Sequence, residues 1–124
     1  EYMRECLRAG GIYKRCGGVH GAALAGKAGL LAHSEDIGRH NAVDKVIGKG
    51  LLLQTTFAET AILTTGRVSS EMAIKAAQGG IPLIGSLSVP TRLAVEIASK
   101  VGLSLVGRIC SYRPIVYSGT ERIV

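Results

Sequence analysis

Apolar and polar residues along this chain change their period several times. In residues 1–10 (EYMRECLRAG), Tyr2, Met3, Cys6 and Leu7 are spaced as one side of a short helix, ended by Gly10 and Gly11. Residues 17–36 read as two short strands around a GKAG turn at 26–29, a hairpin. Helical spacing returns over 39–53, where Val43, Val46 and Ile47 share a face. Asn41 is placed to cap that helix with Asp44 three residues on, and Gly48 and Gly50 weaken its end. The second half then alternates. TAILTTG (60–66), IPLIGSL (81–87) and LSLVGRI (103–109) are apolar runs of strand length, and PIVYS (114–118) reads as an edge strand. Between them, SSEMAIKAAQGG (69–80) and PTRLAVEIASKVG (90–102) read as helices, the latter with Pro near its start and Gly at its end. Strand, helix, strand, helix, strand predicts parallel pairing through right-handed crossovers, and so an α/β fold.

Size and composition narrow this picture. The 124 residues suit a single domain over 1–124, with no linker or low-complexity tract. Apolar residues make up 47% and aromatics only 4%, so Val, Ile, Leu and Ala must build the core. That diet fits a buried sheet with helices on both faces. The chain starts at Glu1 rather than Met, which leaves room for a longer parent chain. There is no signal peptide and no apolar stretch near 18 residues, which points to the cytoplasm and away from a membrane partner.

The net charge of +6 favours an anionic partner such as a nucleotide or a phosphorylated cofactor. Nucleic acid is disfavoured: there is one Phe, no Trp and no run of Lys or Arg. Three loops leave the carboxyl ends of predicted strands, where open α/β sheets bind ligands. They are SEDIGRHN (34–41), TGRVSSE (65–71) and GSLSVPT (85–91). Each combines Gly with Ser or Thr just before a helix, whose free N–H groups suit phosphate. Arg39 and Arg67 add guanidinium forks. Taken one at a time, Ser69, Ser70 and Thr91 also read as ordinary N-caps. The densest window is EDIGRHNAVDKVIG (35–48), which reads either as a site wall or as a polar network that locks its loop.

Several chemistries are missing their motifs. A zinc deaminase needs H-x-E and P-C-x-x-C, but Ala22 stands two after His20 and no CxxC occurs. GxGxxG, Walker and GxSxG runs are absent. The three cysteines form neither a disulfide framework nor a zinc set. Cys6 and Cys110 read as core. Cys16, beside Lys14 and Arg15, is the candidate reactive thiol, because cationic neighbours favour thiolate.

The blocks CGGVHGAAL, EDIGRHNAVDKVIG, TTGRVSSEMAIKAA, GIPLIGSLSVPTRLAVEIA and LVGRICSYRPIVY resemble, in order and spacing, the FdhD family of formate dehydrogenase accessory proteins, described as sulfur carriers. The resemblance covers nearly the whole chain and corresponds to the family's C-terminal half. It implies a three-layer α/β/α mixed sheet, cytidine-deaminase-like without the zinc, and sulfurtransferase-type chemistry. Sulfur would arrive from a cysteine desulfurase as a persulfide. It would pass to the bis-guanine-dinucleotide molybdenum or tungsten cofactor destined for formate dehydrogenase, with a guanine nucleotide as surrogate ligand and a homodimer as the working form. The matching cofactor positions are His20, Asp36, Arg39, His40, Asn41, Asp44, Arg67, Ser69, Ser70 and Glu71. The family's C-terminal cofactor segment falls on Arg108, Ile109, Cys110, Ser111, Tyr112 and Arg113. The family's CxxC lies upstream of the glycine–histidine strand, where this chain has Cys6 and Cys16. Two readings follow: Cys16 carries the persulfide, or the chain is a non-catalytic cofactor-binding module or chaperone.

Overall fold

The computed structural model describes residues 18–123; the helix expected over 1–10, Cys6 and Cys16 lie outside the described residues. In β1 (His20–Gly26), alternation puts Ala22 and Leu24 on one face and Ala23 and Ala25 on the other, and all four are buried. The strand turns at Lys27–Ala28 into β2 (Gly29–Asp36), its antiparallel partner, as the GKAG signal predicts. After α1 (Arg39–Leu52) come β3 (Ala61–Thr64), α2 (Ser70–Gln78), β4 (Leu83–Ser86), α3 (Arg92–Val101), β5 (Ser104–Gly107) and β6 (Ile115–Ser118). The sheet order is β2-β1-β3-β4-β5-β6; β3, β4 and β5 run parallel, while β1 and β6 pair antiparallel with β3 and β5. The mixed sheet and the edge strand at 114–118 are therefore as expected.

Helices are expected on both faces; the three described helices share one, and the helix expected over 1–10 lies outside the described residues. A right-handed crossover places its helix on a face fixed by the direction of travel across the sheet. The steps β2 to β3, β3 to β4 and β4 to β5 all go the same way, so α1, α2 and α3 land together. Their buried residues Val43, Val46, Met72, Ala76, Ala94 and Ala98 join Leu24, Ile62, Ile84 and Leu105 in one core cluster. The opposite face carries a smaller cluster of Ala23, Ala25 and Leu63, with Leu30, Leu87 and Ile109 against it.

Helix boundaries follow local chemistry. Ser69 Oγ accepts from Met72 N, and Thr91 Oγ1 accepts from Ala94 N, so both are N-caps. Gly102, at φ 75°, closes α3 in the left-handed conformation. The cap of α1 is Gly38, not Asn41, which lies inside the first turn. Gly50 also does more than weaken that helix. A Cβ there would lie 2.7 Å from Leu24 Cδ2 and 2.9 Å from Phe57 Cε1, so the missing side chain lets α1 lie close on the sheet.

Candidate rim site

The carboxyl ends of β2, β3, β4 and β5, the start of β1 and the start of all three helices meet at one edge of the sheet. The three loops singled out above therefore share a rim. Backbone bonds carry the sheet past its strands here. Leu87 N donates to Thr64 O, Val68 N to Val89 O and Thr91 N to Val68 O, so Val68 and Pro90 form a parallel bridge. Ser86, wholly buried, donates its hydroxyl to Gly66 O at 2.6 Å and accepts from Ser88 N at 2.9 Å. Thr64 Oγ1 accepts from Gly66 N at 3.2 Å. The Gly66 peptide is thus held from both sides.

Gly66 is where the loops touch. A Cβ on it would stand 2.9 Å from Arg39 Cβ and 3.1 Å from both Arg39 Cδ and His20 Nδ1. The Arg39 Nε is buried without a hydrogen-bond partner. His40 Nε2 lies 2.7 Å from Ser69 Oγ and 3.7 Å from Glu71 Oε2, which joins the start of α1 to the start of α2. Within the first turn of α2, Ser69 occupies the Met72 and Ala73 amides. Those of Ser70 and Glu71 stay directed outward, as helix geometry requires. The exposed Arg67 stands beside them in the chain. A half-buried guanidinium, helix-start amides and a side-chain-free peptide together suit a phosphate.

In the densest window, 35–48, Asp36 and Lys45 form a polar lock on the loop. Asp36 Oδ1 accepts from Gly38 N at 3.0 Å and Asn41 Nδ2 at 3.4 Å, and its Oδ2 meets Lys45 Nζ at 2.6 Å. Lys45 also donates to Glu35 O. The Lys45 and Gly38 bonds hold the Asp36 carboxyl at about 2, below its ordinary 3.8. A depressed carboxylate contributes stability above its unfolded value and loses it as pH falls through the folded one. The urea midpoint should therefore drop between 3.8 and about 2, and Asp36→Asn should flatten that part of the profile. An unchanged slope in the variant would show that the lock contributes nothing.

The remaining expected residues have other partners. Asp44 pairs with Lys75 at 2.8 Å and ties α1 to α2. Cys110 was expected in the core and is exposed: β5 ends at Gly107, and the chain then turns outward. Arg108 takes φ 53°, Ile109 packs over Gly85, and Ser111 Oγ accepts from Arg113 N at 3.2 Å. The residues that escaped notice are Ser86, Thr65, whose Oγ1 accepts from Gly21 N at 3.0 Å, and His33. Burial pushes the His33 imidazole below its usual range, and its Nε2 has no partner. The polar residue ending each apolar run, as in AILTT and PLIGS, was the available signal for Thr65 and Ser86. A groove of about 460 Å³ lies at the opposite edge, lined by Gln78, Ile81, Val101 and Arg122. It is a poor anion site, because Arg122 Nη1 is already bonded to Gly102 O at 2.6 Å.

Comparison with known proteins agrees with this architecture. The profile of the FdhD/NarQ family matches residues 1–124. The chain is 44% identical over 121 residues to the sulfur carrier protein FdhD of Listeria monocytogenes, covering 98% of this chain and 46% of that one. It is 46% identical over 120 residues to the Nocardia farcinica protein of that name, covering 94% and 43%. It therefore spans about half the length of the curated relatives it matches. A crystal structure described as a formate dehydrogenase accessory protein of Desulfotalea psychrophila superposes with a TM-score of 0.91 at 38% identity, covering 99% of this chain and 55% of that one. A pyrimidine deaminase/reductase of Thermotoga maritima shares the fold alone, with a TM-score of 0.66 at 13% identity, covering 88% and 36%. On the full-length profile match and these identities, the chain belongs to the FdhD/NarQ family.

Proposed function

We propose that this chain serves formate dehydrogenase maturation as a sulfur-carrying accessory protein. It would accept sulfur from a cysteine desulfurase and hold the guanine-dinucleotide molybdenum or tungsten cofactor as its substrate at the rim. The observation that carries this reading is the convergence at Gly66. Arg39 and His20 close on it, and Ser69 and Ser70 stand at the helix start that follows it, in a chain of the FdhD/NarQ family. The donor set fits a nucleotide diphosphate: an unpartnered buried guanidinium nitrogen, helix-start amides and the exposed Arg67. Asp36 and Lys45 then act by holding the α1 start in place, and Asp44 by holding α1 to α2.

For the sulfur step, the thiolate of Cys16 attacks the outer sulfur of the desulfurase persulfide. The donor's S–S bond breaks, a new one forms on Cys16, and the desulfurase cysteine leaves as thiolate. Lys14 and Arg15 flank Cys16 in the chain and favour its thiolate. We place the protein in the cytoplasm, as a homodimer. Among the described residues, no helix is long and apolar enough to cross a membrane.

Incubation of the whole chain with a desulfurase and cysteine, followed by intact mass spectrometry, should show the gain of one sulfur atom. Cys16→Ala should abolish it and Cys110→Ala should not. No adduct on the parent chain would rule out sulfur carriage by these cysteines. Retained affinity for GDP in that case would leave a cofactor-binding module.

A further inference from the structure

Among the described residues the sheet has two unequal edges: β6 is four residues long and β2 is eight. A long edge strand offers a row of backbone groups to another strand, whereas a short one offers few. Which groups β2 turns outward follows from its neighbours. Thr65 N donates to Gly21 O, so Gly21 and Ala23 turn their backbone groups to β3, and His20, Ala22 and Leu24 turn theirs to β2. Across that pair Ala32, Ser34 and Asp36 face back to β1, and the carbonyls of His33 and Glu35 point off the edge. Both carbonyls are taken. Lys45 Nζ donates to Glu35 O at 3.1 Å, and Lys49 Nζ donates to His33 O. The two lysines stand one turn apart on α1, so neighbouring side chains reach alternate residues of the strand. Further along, the pairing of β1 with β2 shifts register, and Leu31 is the extra residue of a bulge.

We propose that Lys45 and Lys49 guard the β2 edge against strand addition by a second copy of this chain. An incoming β2, antiparallel about a twofold axis, would direct its N–H groups at the His33 and Glu35 oxygens, the acceptors that the ammonium groups occupy. Pairing would have to displace both lysines on each copy and gather their like charges between two strands. The bulge at Leu31 twists the part of the edge that the lysines do not reach. An open edge here would be sticky. Leu30, Leu31 and Ala32 form an apolar run, Leu31 is 41% exposed, and it lines a groove with Leu52 and Leu53 at the end of α1.

The test uses the whole chain. Its probe is a fluorescein-labelled peptide of the β2 sequence, Gly29–Asp36, read by anisotropy, while light scattering follows the mass of the unlabelled chain as concentration rises. Lys49 is the residue to change, because Lys45 also holds Asp36. Lys49 is exposed, so its replacement should leave the fold intact. Lys49→Ala should bind the peptide about tenfold more tightly than the parent, the contribution of one backbone hydrogen bond. It should also grow beyond the parent's own mass, and the outward His33 amide should gain protection from hydrogen exchange as it does. Lys49→Arg keeps a charged donor and should match the parent in all three measurements. Equal peptide affinity and equal mass in the parent and Lys49→Ala would overturn the guard. Growth without protection at His33 would overturn it as well, by assigning the association to the exposed leucines at the end of α1.

Discussion

Gly66→Ala will weaken GDP binding by about 100-fold, close to 3 kcal/mol, and will do so in a protein that still folds. The added Cβ would sit 2.9 Å from Arg39 Cβ and 3.1 Å from Arg39 Cδ and His20 Nδ1. Arg39 Cβ is no flexible tip. It is anchored in the first turn of α1, whose start is locked by Asp36. Relief must therefore come from the Gly66 peptide or from the position of α1. The peptide is held by Thr64 and Ser86, so movement costs about 1–3 kcal/mol of stability. Either displacement moves the guanidinium away from the helix-start amides it would share a phosphate with. Gly48→Ala is the control: nothing lies within 4 Å of its added Cβ. It should leave affinity unchanged and stability equal or slightly raised, because alanine favours helix. Calorimetry with GDP and urea unfolding read the two effects separately. Undiminished affinity in Gly66→Ala would refute the rim as the phosphate site.

Leu24→Ala should give the largest loss of stability, about 3 kcal/mol within the 2–5 kcal/mol range for large-to-small core changes. Leu24 is wholly buried at the centre of β1, the strand that joins the hairpin to the rest of the sheet. Its side chain meets α1 at Gly50, where a Cβ would lie 2.7 Å from Leu24 Cδ2. Collapse around the cavity is restricted there, because Gly50 has no side chain to move in. Relative to a typical total of about 5–15 kcal/mol this is a large fraction, and the unfolding midpoint should fall by roughly 10 °C. Leu52→Ala, at a position 87% exposed, should stay within about 0.5 kcal/mol of the parent. Equal midpoints for the two variants would contradict the assigned core.

Much of this architecture was readable from residue order, for definite physical reasons. The alternation of short apolar runs with helical spacing fixed β3 through β5 and their parallel pairing. Glycine and hydroxyl residues just after those runs marked the rim, and Ser69 and Thr91 became the caps their positions suggest. Side-chain pairing was less legible. Asp36 does accept a nearby backbone amide, that of Gly38, but its side-chain partners Asn41 and Lys45 lie a full helical turn and more away. Asn41 was misread as a cap because Gly38 offers no side chain to announce itself. Cys110 looked buried because the apolar run before it seemed to continue, whereas Arg108 turns left-handed and carries it outward. That α1, α2 and α3 share one face depends on strand order, which local patterns do not encode. Ser86 was overlooked because the carbonyl it donates to, Gly66 O, is twenty residues away in sequence.

The hydrogen-bonded row from Gly66 through Ser86 and Ser88 to Arg108 also constrains how the gene can change length. A codon inserted or deleted in any of these three segments would shift one partner past the next and unthread the others. Indels should accordingly be purged there and accumulate at the far edge, where the two-residue Lys27–Ala28 bend lies in solvent.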